Sequence, residues 1–142
     1  MCERLRALAA FGTAFNRDGF VFSNDIPSSV DEGVIVLGGT TLSDDGERFY
    51  QALYDYGWVC MFEWAEWRST ERGTRLMHDP DAIATANEDD LARVPTTCVR
   101  ADRFCDGYLS DAYEAGLIGR VVARAEQLLA TAEANLGSSS AA

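Results

Sequence analysis

Lysine is absent. All 12 basic residues of this 142-residue chain are arginine, set against 23 acids, for a net charge of −11. Duplex nucleic acid binding rests on phosphate neutralisation and counterion release, and so acidic a chain without a lysine cluster lacks that footprint. An anionic membrane surface is disfavoured on the same grounds. No apolar run approaches about 18 residues, so no spanning helix is expected. The four cysteines (Cys2, Cys60, Cys98 and Cys105) contain no C-x-x-C pair, and His78 is the only histidine, so a zinc set cannot be completed. The cysteines read as free thiols of a reducing compartment. Walker glycines, H-E-x-x-H and a Ser/His/Asp order are also missing. The residues therefore name no catalytic group, no metal and no cofactor.

The acidity has two readings. A halophile's cytoplasm favours excess surface carboxylate with little lysine, whereas a high-GC genome replaces lysine by arginine without salt adaptation. The 13 aspartates against 10 glutamates lean toward the first. The opening Met1-Cys2-Glu3-Arg4-Leu5-Arg6 leads into a short apolar run without a small-residue cleavage site. It reads as a helix and not as a secretory signal, so a cytoplasmic location is the expectation.

Periodicity predicts a mainly α (α+β) fold. One domain over residues 1–136 holds five to seven helices, with two or three short β-strands in its N-terminal half, and residues 137–142 form a flexible tail. Helices are expected over Glu3–Phe15, from Asp44 to Gly57 with an Asp44/Glu47 capping box, and over Glu66–Met77. Others start at Asp79-Pro80-Asp81 and at Asn87, with Pro95 as a break near Val94. The last ones cover Leu109–Ala115, ended by Gly116, and Leu117 to about Leu136, whose apolar stripe is strongly amphipathic. Phe20–Phe22 and Val34–Leu37 read as strands, Asn24–Gly33 as an exposed loop and Gly38-Gly39 as a turn. Trp58–Trp64 is a buried strand or a buried helix start, and periodicity does not decide between them.

The densest chemistry lies in Val99–Leu109, VRADRFCDGYL. On a continuous helix Arg100 and Arg103 share one face, and Asp102 and Asp106 a neighbouring one. Glu63, Trp64 and Trp67 supply a second half. A buried Glu63–Arg103 pair under Trp64 would be a polar clamp between the late helices and the aromatic segment. Alternatively, Arg100 or Arg103 would hold an anionic group in a pocket walled by tryptophans and Tyr108. The candidate ligand-binding residues are thus Arg100, Arg103, Asp102, Asp106, Glu63, Trp64, Trp67 and Tyr108. The leading expectation is a non-enzymatic interaction or regulatory module with a protein partner or a second copy. The alternative is a binder, or enzyme, of a small anion such as a nucleotide or organic acid. Neither nucleic acid nor membrane is expected as a partner.

Four segments carry a resemblance: YGWV at Tyr56–Val59, the tryptophan pair within Phe62–Trp67, H-D-P at His78–Pro80 and RADRFCDGYL at Arg100–Leu109. Together they resemble the uncharacterised prokaryotic family catalogued as domain of unknown function 6508, over about Val34 to Leu129. In that family the acid before the first tryptophan is aspartate, and here it is Glu63. The resemblance implies a fold and no mechanism.

Overall fold

Two helices organise the core. In the computed structural model, which describes residues 3–36 and 38–140, α6 (Glu88–Asp102) and α8 (Leu117–Ser140) lie against each other. Around them stand α1 (Glu3–Ala9), α2 (Phe11–Phe15), α3 (Asp44–Asp55), α4 (Trp64–Trp67), α5 (Glu71–His78), a 3-10 turn (Ile83–Thr85) and α7 (Tyr108–Glu114). The strands β1 (Ser23–Ile26), β2 (Ser29–Asp31), β3 (Val34–Val36) and β4 (Gly39–Leu42) all fall in the N-terminal half. The mainly helical class with short strands there is as expected.

Helix α6 is buried from Asp90 to Val99, apart from a half-buried Arg93. Pro95 sits inside it and does not end it, which corrects the expected break. An interior proline costs about 3 kcal/mol through a lost hydrogen bond and a clash. Burial of Leu91, Val94, Cys98 and Val99 on all sides of the helix outweighs that penalty. The start of α6 was legible. The Asn87 side chain accepts from the Asp90 amide at 2.8 Å, and the Asp90 carboxylate accepts from the Asn87 amide at 3.3 Å. The same carboxylate receives Arg72 at 2.8 Å.

Trp58–Phe62 is neither strand nor helix. Irregular backbone inside a core needs partners for its polar groups, and the buried Thr96 hydroxyl supplies them. It lies 3.0 Å from the Trp58 carbonyl, shares its proton with the Ala92 carbonyl at 2.8 Å, and accepts the Cys60 amide at 3.0 Å. Trp58 is wholly buried, its indole N–H donating to the Arg4 carbonyl at 3.0 Å.

Several boundaries moved for local reasons. Ser43, not Asp44, caps α3, its Oγ accepting from the Gly46 amide at 3.0 Å. The single helix expected over Glu66–Met77 is two, because Thr70 caps α5 through the Gly73 amide. Gly73 is required there: a Cβ would collide with the Trp67 carbonyl. Asp79 accepts from the Asp81 amide, but only the 3-10 turn follows. Phe20–Phe22 is not a strand. Its rings join Phe11, Phe15, Phe49 and Tyr113 in one cluster, with Phe22 stacked on Tyr113 at 4.4 Å and 6°. Helix α8 runs on through Gly137 to Ser140, past the expected start of the tail.

The segment read as a loop, Asn24–Gly33, holds β1 and β2. Ser23 pairs with Leu42 and Ile26 with Gly39; farther out, Ser29 pairs with Val36 and Asp31 with Val34. The register is the same on both sides of Pro27-Ser28, so the two antiparallel pairs are one ribbon with an interruption. Pro27 lacks the amide a ladder needs, and a Cβ on the facing Gly38 would collide with the Ile26 carbonyl. The ribbon closes at Glu32-Gly33, both at positive φ (51° and 78°), the requirement of a two-residue type I′ turn. Gly38-Gly39 is therefore a close crossing and a strand start, not a turn. Leu37, placed in a strand by its sequence, lies outside the described residues.

Asp90 serves the cap and Arg72 together, so Asp90→Ala is expected to destabilise the fold by about 2 kcal/mol, and Asp90→Asn by less because it keeps a cap acceptor. Urea unfolding of the three proteins measures the order. A second expectation concerns alkali. Burial, with the Asp102 charge adding to it, pushes the Cys98 thiol from 9.0 up to about 12. The folded state thus favours the neutral thiol, and this stabilisation is complete below pH 9 and lost as pH rises toward 12. The fall of unfolding free energy over that range should be shallower in Cys98→Ala than in the parent.

Candidate functional site

Helix α6 stops at Asp102, and the chain reverses through Arg103–Gly107 into α7. The expected continuation to Cys105 or Asp106 is corrected, and the side chains separate accordingly. Gly107 makes the reversal possible at φ 82°, a conformation costly for residues with a Cβ. It stands at the cap position of α7 but has no side chain to cap with. Asp102 does this instead, its carboxylate accepting the Leu109 amide at 3.1 Å. Asp106 points the other way and accepts the Thr40 amide of β4 at 3.2 Å. Both aspartates hold backbone.

The inward arginine clamp does not form. Arg103 is exposed and Arg100 half-buried, and neither makes an ion pair among the described residues. Glu63 is exposed at the start of α4 and makes no capping bond. The buried Glu63–Arg103 pair and the buried Arg/Asp/Trp network are therefore corrected. The face-sharing argument assumed a helix through residue 106, and the turn at 103 rotates Arg103 outward.

Trp64 and Tyr108 do come together at a groove. Trp64 stacks on Phe104 (centroids 6.1 Å, 27°), and the Arg68 guanidinium lies over its indole at 5.2 Å. Trp67 turns away and meets Phe62 edge-on at 5.8 Å. Beneath Trp64 is a hollow of about 320 Å³ lined by Arg68, Phe104, Cys105 and Tyr108. Cys105 and Tyr108 also line a second hollow of about 500 Å³. Its apolar wall includes Met77, Pro80 and Leu117, and its polar groups are His78, Asp111 and Arg120. Two adjoining hollows thus share one wall.

Arg120 and Arg68 are the residues that sequence reasoning missed. Arg120 follows the left-handed Gly116 by four residues, at the start of α8, and donates to the Ala115 carbonyl at 3.4 Å. Its Nε is buried without a hydrogen-bond partner among the described residues. Arg68 follows Trp64 by four, a spacing that puts a guanidinium above an indole on a helical turn. That signal was available in the sequence. His78 ends α5 and is exposed. Burial raises the Tyr108 phenol above its usual range, Cys98 adds to the rise, and nearby Arg68 opposes it. The phenol remains a hydrogen-bond donor at neutral pH. Chemically the groove offers guanidinium, phenol and imidazole groups beside flat apolar walls, with Asp111 as its carboxylate. Among the described residues no cluster of three or more His, Cys, Asp or Glu side chains has a metal-binding arrangement, and no helix is long and apolar enough to cross a membrane.

The chain belongs to the family of unknown function DUF6508, whose model matches residues 1–131. No curated protein and no solved structure matched it.

The outward position of Arg103 predicts that Arg103→Ala shifts stability by no more than about 0.5 kcal/mol. Asp102→Ala, which uncaps α7, should cost about 1 kcal/mol. Urea midpoints distinguish this order from that of a buried clamp, in which the arginine would cost about 3–5 kcal/mol.

Proposed function

We propose that this DUF6508 member binds a small anionic molecule with a flat or apolar body in the groove around Tyr108 and Cys105. The carrying observation is a local inversion of charge. In a chain with 23 acids and 12 bases, the groove sets Arg68, Arg120 and His78 against Asp111. Guanidinium pairs suit carboxylate or phosphate through forked hydrogen bonds. Trp64, Phe104 and Met77 offer the apolar area that gives such a ligand its affinity. The larger hollow, about 500 Å³, is of the size that takes a nucleotide or an aromatic acid (roughly 300–1,000 Å³). The buried, unpartnered Nε of Arg120 adds to this reading, because a ligand oxygen would satisfy it.

The roles follow from chemistry. Arg120 and Arg68 hold the anionic group, the Tyr108 phenol donates to it, and Trp64 with Phe104 covers the flat face. Protein contact is a second reading. Phe104, 82% exposed beside Trp64, also suits a partner's apolar side chain.

A panel of nucleotides and aromatic organic acids, read by thermal shift, tests the proposal. A binding member at about 100 times its Kd should stabilise the fold by about 2.7 kcal/mol. Arg120→Ala and Arg68→Ala should each weaken it about tenfold, and Tyr108→Phe less. The idea fails if no panel member moves the midpoint, or if the shift persists in the Arg68→Ala/Arg120→Ala double variant.

A further inference from the structure

The ribbon of β1–β4 is rooted firmly and covered nowhere. At its base Phe22 is buried against Tyr113, Ser43 Oγ lies at the Val21 and Phe22 carbonyls, and Asp106 holds Thr40. Toward its tip Ile26, Val30, Val34 and Ile35 are 51–72% exposed. Val30 and Ile35 are direct cross-strand partners and so present one apolar face. An isolated two-stranded hairpin is marginal in water, and three strands or a covering surface make it stable. Both strands of the tip are edges, with unpaired amides and carbonyls along their outer sides.

Charge decides the occupant. Residues 23–42 contain Asp25, Asp31 and Glu32 and no basic residue. A second copy would bring the same acids to the same face and a further net charge of −11, which opposes ribbon-on-ribbon pairing. A strand with arginine or lysine alternating with apolar residues meets every feature of the tip. Its backbone satisfies an open edge, its apolar side chains cover Val30 and Ile35, and its cations face Asp31 and Glu32.

We infer that the ribbon tip, Val30–Ile35 with its two open edges, is a docking surface for a basic, amphipathic β-strand of a protein partner, added by β-augmentation. This surface is independent of the groove around Tyr108.

The test uses labelled peptides of about eight residues: one alternating arginine and valine, one alternating glutamate and valine, and one with the same arginines and valines in two blocks. Fluorescence anisotropy reads binding to the full chain, and backbone amide NMR shifts locate it. The alternating basic peptide should bind, weaken with salt, and shift residues 23–42. Val30→Ser/Ile35→Ser should lower its affinity about tenfold or more. The parent thermal midpoint should be kept, because the tip covers no core. Asp31→Asn/Glu32→Gln should weaken binding and flatten its salt dependence. Equal binding of the blocked or the acidic peptide, shifts centred on Tyr108 and Arg120, or affinity unchanged in Val30→Ser/Ile35→Ser would each overturn the inference. Sedimentation of the chain alone provides the remaining arm: a dimer dissolved by Val30→Ser/Ile35→Ser would assign the surface to a second copy and overturn it too. A groove without ligands leaves these outcomes unaffected.

Discussion

Much of the molecule's organisation turns on the corner between α6 and α7. Gly107 at φ 82° lets the chain reverse within five residues of the end of α6. From that corner Asp102 caps the next helix, Asp106 holds the ribbon root at Thr40, and Cys105 and Tyr108 line the groove. Thr40 closes the arrangement from the other side, since a Cβ on Gly107 would meet its Oγ1 at 3.2 Å. A larger residue at 107 would strain the backbone and disturb the cap, the ribbon and the groove together. The functional surfaces thus depend on a turn, and the turn depends on the absence of one side chain.

Most of the fold could be read from the sequence where a local rule had no competitor. Asn87 with Asp90 marked the start of α6, and Gly57 and Gly116 marked ends, because caps and left-handed residues act within one turn. The stripe of α8 was legible because its buried side, Leu117 to Ala125, repeats at helical spacing. Reading failed where tertiary contacts overrode local preference. Pro95 survives inside α6 because the helix is buried around it, and Trp58–Phe62 does without a ladder because Thr96 lies opposite. The ribbon was legible in part. Asp31-Glu32-Gly33 between valines is a turn signal, but the acids and Pro27 made the whole stretch read as a loop.

The candidate site was half legible for a different reason. Trp64 and Tyr108 were found because flat side chains near cations draw attention in any sequence. Arg100 and Arg103 were wrong because their meaning depended on a helix continuing one more turn. Asp102 and Asp106 were correctly singled out as busy residues, but their partners are backbone amides, and a sequence does not show which amides lie opposite. Arg120 was hidden in the polar face of α8, where one arginine looks like another until Gly116 and Tyr108 are placed around it.

Charge links these observations. Many of the acids have structural uses: Asp44, Asp45 and Glu47 in the first turn of α3, Glu88, Asp89 and Asp90 in that of α6, and Asp102 and Asp106 at the corner. Acids at helix starts complement the N-terminal dipole and free amides, so a high acid count need not mean a uniformly acidic surface. With those carboxylates committed, the sign of a surface is set by what remains. On the groove the remainder is cationic, with Arg68 and Arg120 free of carboxylate partners among the described residues. On the ribbon it is anionic, because no arginine falls within residues 23–42. A net charge of −11 therefore describes neither surface, and each selects its occupant by its own local balance.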